Sequence, residues 1–164
     1  MKKITVHQLT FCGILAAVYA VLTICTSAIS YGPIQFRVAE ALCILPFFHP
    51  AATIGLTLGC LIANLFSTVS ALDIIVGTAA TLLACMMTQR IKSPWLAPLP
   101  PVLVNAVMIG AEIAIVSTPE AFWNGFVLFG AQVGLGELVV MYLLGLPLLL
   151  ALRKNGLGDR ISRI

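Results

Sequence analysis

The chain has 164 residues, of which 60% are hydrophobic and 9% charged, with a formal net charge of +3. A soluble domain carries about 25% charged residues, so this chain lacks the polar surface needed to sit in water, and its modest charge gives no footing for nucleic-acid binding. The composition points to an integral membrane protein with most of its length in the bilayer.

The opening residues MKKITVHQLTFCG lead into an apolar run from about Leu9 to Ile29. Roughly 20 residues are enough to span a hydrocarbon core. The run is read as a retained first helix over 8–29 and not as a cleaved signal, despite the small residues Thr26, Ser27 and Ala28 near its end. Gly13, Ala16, Ala17 and Ala20 give this helix a small-residue face. Another helix, of this chain or of a partner, can approach closely there.

Tyr31–Gly32–Pro33 breaks the chain before a second apolar segment over 37–48. As an α-helix, Val38 to Phe48 would be roughly 17 Å long, short for a core of about 30 Å. Either the helix borrows from its flanks, or the loop before it dips into the membrane, where irregular backbone is tolerated only in contact with protein or a cavity. Four further segments are placed at 50–67, 73–91, 100–117 and 121–152. Asp73 suits a helix N-cap, and Pro101 suits a first helical turn, where no backbone N–H is needed. The predicted fold is a single all-α domain over 1–164: a compact bundle of six transmembrane helices with a short second helix.

Charge sets the topology. Lys2 and Lys3 precede the first helix, Arg90 and Lys92 follow the fourth, and Arg153, Lys154, Arg160 and Arg163 follow the sixth. Six crossings put all three clusters on one side, which the positive-inside rule makes the cytoplasm. Both termini are therefore expected there.

Polar residues inside membrane segments are candidate functional groups because burying them is costly. Gln35, Arg37, Glu40, Asn64, Asp73, Asn105, Glu112, Trp123 and Asn124 are the candidates for substrate binding. By depth, most fall in the outer half of the bundle, as a pocket open to the outside requires. Each has a plainer reading. Arg37 and Glu40 are three apart and can pair on a helix, Asp73 can cap, and Trp123 can belong to an interfacial belt. Asn105 and Glu112 share one face of their helix, and a carboxylate such as Glu112 in an apolar run requires a partner, a proton or a ligand. Glu137 lies deeper, on a face with Trp123, Gly130, Gly134 and Met141; it is either an interhelical hydrogen-bonding group or a pocket floor, and Gln132 is left without a role. The five cysteines, Cys12, Cys25, Cys43, Cys60 and Cys85, lie inside apolar runs and read as small hydrophobes. The sequence has no nucleotide-binding loop, zinc-protease helix or nucleophile elbow. No enzyme activity, cofactor or metal is expected, and a transporter of this kind must use a gradient or borrow a motor.

The run YGPIQFRVAEALCILPF, Tyr31 to Phe47, resembles the QueT family, substrate-binding S components of energy-coupling factor (ECF) transporters. The likeness covers essentially the whole chain: its size, six helices, short second helix and the A-x-x-x-A of helix one. It implies a bacterial cytoplasmic-membrane protein that captures queuosine or a deazaguanine precursor from outside. The partners implied are a transmembrane coupling protein and two cytoplasmic ATPase subunits. The small-residue face of helix one, at Ala16 and Ala20, would be the docking surface, and the loop around Ser30 to Phe36 would be a gate. For a guanine-like base, a carboxylate suits the N–H edge (Glu112 first, Asp73 or Glu40 second), Arg37, Gln35 or Asn105 the carbonyl edge, and Trp123, Tyr31 or Phe36 the ring face. Two other readings fit the residues: an S component for a different vitamin, and a self-sufficient proton-coupled carrier with Glu112 or Glu137 titrating.

Overall fold

The computed structural model describes residues 5–30, 36–67 and 71–164, and every element among them is helical. Helix α1 (Val6–Cys25) starts at a capping box. The Thr5 hydroxyl accepts from the Gln8 amide and the Gln8 side chain accepts from the Thr5 amide, both at 3.2 Å, which satisfies two amides that have no partner within the helix. A short turn of helix, α2 (Ser27–Ser30), follows. Then come a 3-10 helix (Val38–Phe47), α3 (Ala51–Asn64), α4 (Asp73–Thr88), α5 (Leu99–Ser117) and α6 (Phe122–Val140). A π-helical turn at Met141–Gly145 joins α6 to α7 (Leu146–Lys154), and α8 (Leu157–Ser162) ends the chain.

Three stretches are long and apolar enough to cross a membrane: Val6–Cys25, Leu99–Ser117 and Pro119–Lys154. Three shorter apolar helices, Val38–Phe47, Ala51–Asn64 and Asp73–Thr88, complete the bundle. The exposed surface is apolar, with Leu9, Ile75, Val127 and Leu143 each more than 65% exposed, as a lipid-facing surface requires. Thr5 and His7 line one cavity with Arg160, Arg163 and Ile164, so the start of α1 and the segment from α8 onward lie at the same end of the bundle.

The second apolar segment departs from its expected form. It is a 3-10 helix throughout its 10 residues, with Pro46 inside it. At about 2.0 Å per residue such a helix reaches about 20 Å, further than an α-helix of the same length. It is also the hub of the bundle, packing against α1, α3, α4, α6, the π-helical turn and α7. Seven of its residues are buried, Ala39, Glu40, Ala41, Cys43, Ile44, Leu45 and Pro46, and the main core forms around it, with Tyr19, Leu56, Met141 and Leu149 fully buried.

Glycines set the helix separations. A Cβ on Gly55 would lie 2.7 Å from the Cys12 carbonyl oxygen, and one on Gly59 2.7 Å from that of Ala16. Ala16 and Ala20 are thus buried inside the chain, with Ala16 against α3, whereas Gly13 and Ala17 on the same helix remain exposed. A Cβ on Gly110 would lie 2.6 Å from the Gly130 Cα, which brings α5 and α6 into backbone contact. Asp73 is the first residue of α4, and Leu72 occupies the cap position; the expected capping role passes to other contacts, described below. Pro100 and Pro101 lie in the first turn of α5 as expected. Cys12, Cys43, Cys60 and Cys85 are buried, and Cys25 is exposed near the end of α1.

Candidate functional site

In a 3-10 helix, side chains three apart eclipse one another. Arg37, at the cap of the hub helix, is therefore followed on the same side by Glu40 and then Cys43. This row faces α1, α3 and α4, and a buried polar cluster forms along it.

Arg37 pairs with Asp73 of α4, Nη2 to Oδ2 at 3.5 Å, with both side chains almost fully buried. The Ser67 hydroxyl donates to the same Asp73 oxygen at 2.6 Å. The Asn64 amide of α3 donates to the Asp73 carbonyl at 2.9 Å and to the Cys60 sulfur at 3.3 Å. Gly77 makes room for this junction, since a Cβ there would lie 2.6 Å from Asp73 Oδ1 and 2.7 Å from Asn64 Nδ2. One turn deeper, Glu40 takes three donors: the Tyr19 hydroxyl of α1 and the Thr81 hydroxyl of α4 on Oε1, and the Cys43 thiol on Oε2. Thr81 also lies 3.1 Å from the Cys60 sulfur. A buried charged group is stable only with such compensation.

A second pair lies across α5 and α6, where the Asn105 amide donates to Glu137 Oε1 at 3.1 Å. Both residues are at most 4% exposed. The hub helix that carries Glu40 also packs against α6, which carries Glu137. Glu137 Oε2 and Asn64 Oδ1 make no hydrogen bond among the described residues.

Of the residues singled out from the sequence, Arg37, Glu40, Asn64 and Asp73 come together, and Asn105 joins Glu137 nearby. Glu112 is buried on α5 at 3% exposure. Trp123 and Asn124 are exposed, Trp123 at 74%, and the indole packs edge-on against Phe122 and Phe126 at the start of α6. That arrangement matches an interfacial aromatic group more closely than a stacking face for a buried ring. Gln35 and Tyr31 lie outside the described residues.

Several members of the cluster were not among the sequence candidates: Tyr19, Ser67, Gly77, Thr81 and two cysteines, Cys43 and Cys60. Tyr19 carried a usable signal, because a phenol inside an apolar helix needs a partner for its hydroxyl. Cys60 and Asn64 are four apart on α3 and so share a face, which marks that sulfur as part of a polar row and not merely as filler.

A family model described as QueT transporter matches residues 9–154. A relative from Lactococcus lactis subsp. cremoris (strain MG1363), "Queuosine precursor transporter QueT", is 45% identical over 101 residues. That match spans 58% of this chain and 59% of the relative. No solved structure matches the chain. With the match extending from α1 to the end of α7, and with the polar row of the hub helix inside it, the chain belongs to the QueT transporter family.

Proposed function

We propose that the chain is the substrate-binding S component of an ECF-type importer for queuosine or a deazaguanine precursor, crossing a bacterial cell membrane six times with both termini cytoplasmic. The meeting of Thr5 with Arg163 and Ile164 at one end of the bundle supports an even number of crossings. The basic residues near Arg90 and after Leu152 support the orientation.

The observation that carries the reading is the enclosed polar zone. A bundle with an apolar exterior holds Arg37, Glu40, Asn64, Asp73 and Glu137 away from lipid. Maintaining this many polar groups in a membrane is costly, and a polar substrate is a sufficient reason for the cost. A deazaguanine presents adjacent N–H donors on one edge and a carbonyl near them. Glu137 Oε2 and Asn64 Oδ1 are buried acceptors with no hydrogen bond among the described residues, so a substrate's donors would satisfy them, with Glu112 a further carboxylate on the neighbouring helix. The Arg37 guanidinium suits the carbonyl. Glu40, engaged by Tyr19, Thr81 and Cys43, holds the hub helix in place and so positions Arg37. Fixed partners of this kind reject a ligand that leaves them unpaired.

The chain carries no nucleotide-binding loop, so energy would come from a coupling protein and two ATPase subunits. Gly13 and Ala17 are the small residues of α1 still available to such a partner.

The test is calorimetric titration of the purified protein with queuine, its two deazaguanine precursors, guanine and a panel of vitamins. Tight binding of one deazaguanine alone is expected. Binding of a vitamin with the deazaguanines silent would overturn the substrate, and uptake by the protein alone in liposomes would overturn the dependence on partners.

A further inference from the structure

The end of the bundle where the start of α1 meets α8 holds a second feature, apart from the buried polar cluster. After α7 the chain turns at Gly156, whose φ of 68° is in the left-handed region. Helix α8 then folds back under the bundle. Gly158 seats it against the Phe48 ring, leaving no room for a side chain there. This brings Arg160 and Arg163, three apart and so on adjacent positions of the helix surface, beside the start of α1. They line a cavity of about 320 Å³ with Thr5, His7 and Ile164. Neither arginine forms an ion pair among the described residues, and the one acidic residue of α8, Asp159, is not part of the lining.

A second cavity, about 440 Å³, adjoins the first. The two share His7 and Ile164, and the second continues along α1 past Val6, Thr10, Phe11 and Ile14. Its walls are apolar. The Thr10 hydroxyl is spent on the Val6 carbonyl at 3.0 Å. Val6 and Ile14 are 78% and 58% exposed on the side of α1 that faces away from the bundle. A cationic cup thus opens into an apolar groove that runs along the lipid-facing side of the first helix.

We propose that this is a binding site for an anionic phospholipid, with the phosphate between Arg160, Arg163 and His7 and an acyl chain lying along Val6, Phe11 and Ile14. Arginine suits a phosphate because its planar fork donates two hydrogen bonds at once. Basic pockets at the cytoplasmic end of membrane helices attract acidic headgroups, each cation near the surface strengthening binding. A free phosphate ion would use only the cup. An apolar ligand or a neutral lipid would use only the groove. The two together match a molecule with a negative head and an apolar tail. Lipid held there would bridge α8 to α1 and clamp the C-terminal segment to the bundle.

The test uses the full chain, purified and stripped of lipid in a neutral detergent, with bound lipid counted by native mass spectrometry. Phosphatidylglycerol, phosphatidylcholine and inorganic phosphate are the probes. Phosphatidylglycerol is expected to bind first and in a ratio of one, phosphatidylcholine far more weakly, and millimolar phosphate should not displace the lipid. Replacing both arginines with glutamine (R160Q/R163Q) should weaken phosphatidylglycerol binding roughly 30-fold. Both side chains are exposed, so the fold is not at stake. Filling the groove with Thr10→Trp should weaken it as well, with the arginines intact. Unchanged phosphatidylglycerol binding in R160Q/R163Q would overturn the proposal. So would displacement by phosphate, which would make the cup an ion pocket, or equal binding of phosphatidylcholine, which would leave only an apolar groove.

Discussion

Arg37 and Asp73 are 36 residues apart in the chain and meet as a buried ion pair between the hub helix and α4. Removing one partner of a buried ion pair costs about 3–5 kcal/mol. Asp73→Asn is therefore expected to lower the melting temperature of the protein in detergent sharply. Adding Arg37→Met to that variant should recover part of the loss. An unchanged melting temperature in Asp73→Asn would mean that the pair contributes nothing to the fold.

The Tyr19 hydroxyl is one of three donors to Glu40. Tyr19→Phe should cost about 1–3 kcal/mol, the range for loss of a buried hydrogen bond. A double-mutant cycle with Glu40→Gln separates this bond from general packing. Additive losses in the cycle would show that the two residues do not act together.

Gly110 and Gly130 place the backbones of α5 and α6 in direct contact. Gly110→Leu should destabilise the bundle by at least the 1–3 kcal/mol typical of overpacking, read as loss of monodisperse protein on size-exclusion chromatography. Gly13→Leu, at a position with nothing within 4 Å of a new Cβ, should leave folding unchanged. The same Gly13→Leu, and Ala17→Leu beside it, should reduce recovery of the coupling and ATPase subunits on co-purification. Full recovery with both would place the docking surface elsewhere.

Substrate affinity divides the candidates. Glu137→Gln should weaken deazaguanine binding by about 1–3 kcal/mol, as leaving a buried donor without its acceptor does. Trp123→Ala, which alters a ring exposed on the outside of α6, should leave the dissociation constant within a few-fold. If Glu137→Gln is silent and Glu112→Gln is not, the base edge is read from α5. A large effect of Trp123→Ala would mean that the start of α6 folds over the ligand.

The apolar segments were legible from the sequence because a membrane helix is written as an uninterrupted run with polar breaks. Their observed limits lie within a few residues of the expected ones. The geometry of Val38–Phe47 was not legible. Nine apolar residues and one glutamate carry no periodicity that separates a 3-10 from an α-helix, and six neighbouring elements close on the segment. Depth along a helix was legible too, which is why Arg37, Glu40, Asn64 and Asp73 could be grouped in advance. Direction around the helix axis was not. The Trp123 ring is exposed on the outside of α6, and Ala16 and Ala20 turn inward while Gly13 and Ala17 turn out. Tyr19 and Cys60 were hidden for a different reason: residues that usually serve as packing acquire a polar role only from the neighbours that folding brings to them.

The distribution of thiols has a practical consequence. With Cys12, Cys43, Cys60 and Cys85 enclosed and Cys25 exposed at the end of α1, Cys25 is the thiol expected to react with a maleimide in the unmodified protein. A fluorophore or spin label would attach there in a ratio of one, at the far end of the first helix, without a cysteine-free background. Quenchers confined to one face of a proteoliposome could then follow that end of α1 during a transport cycle.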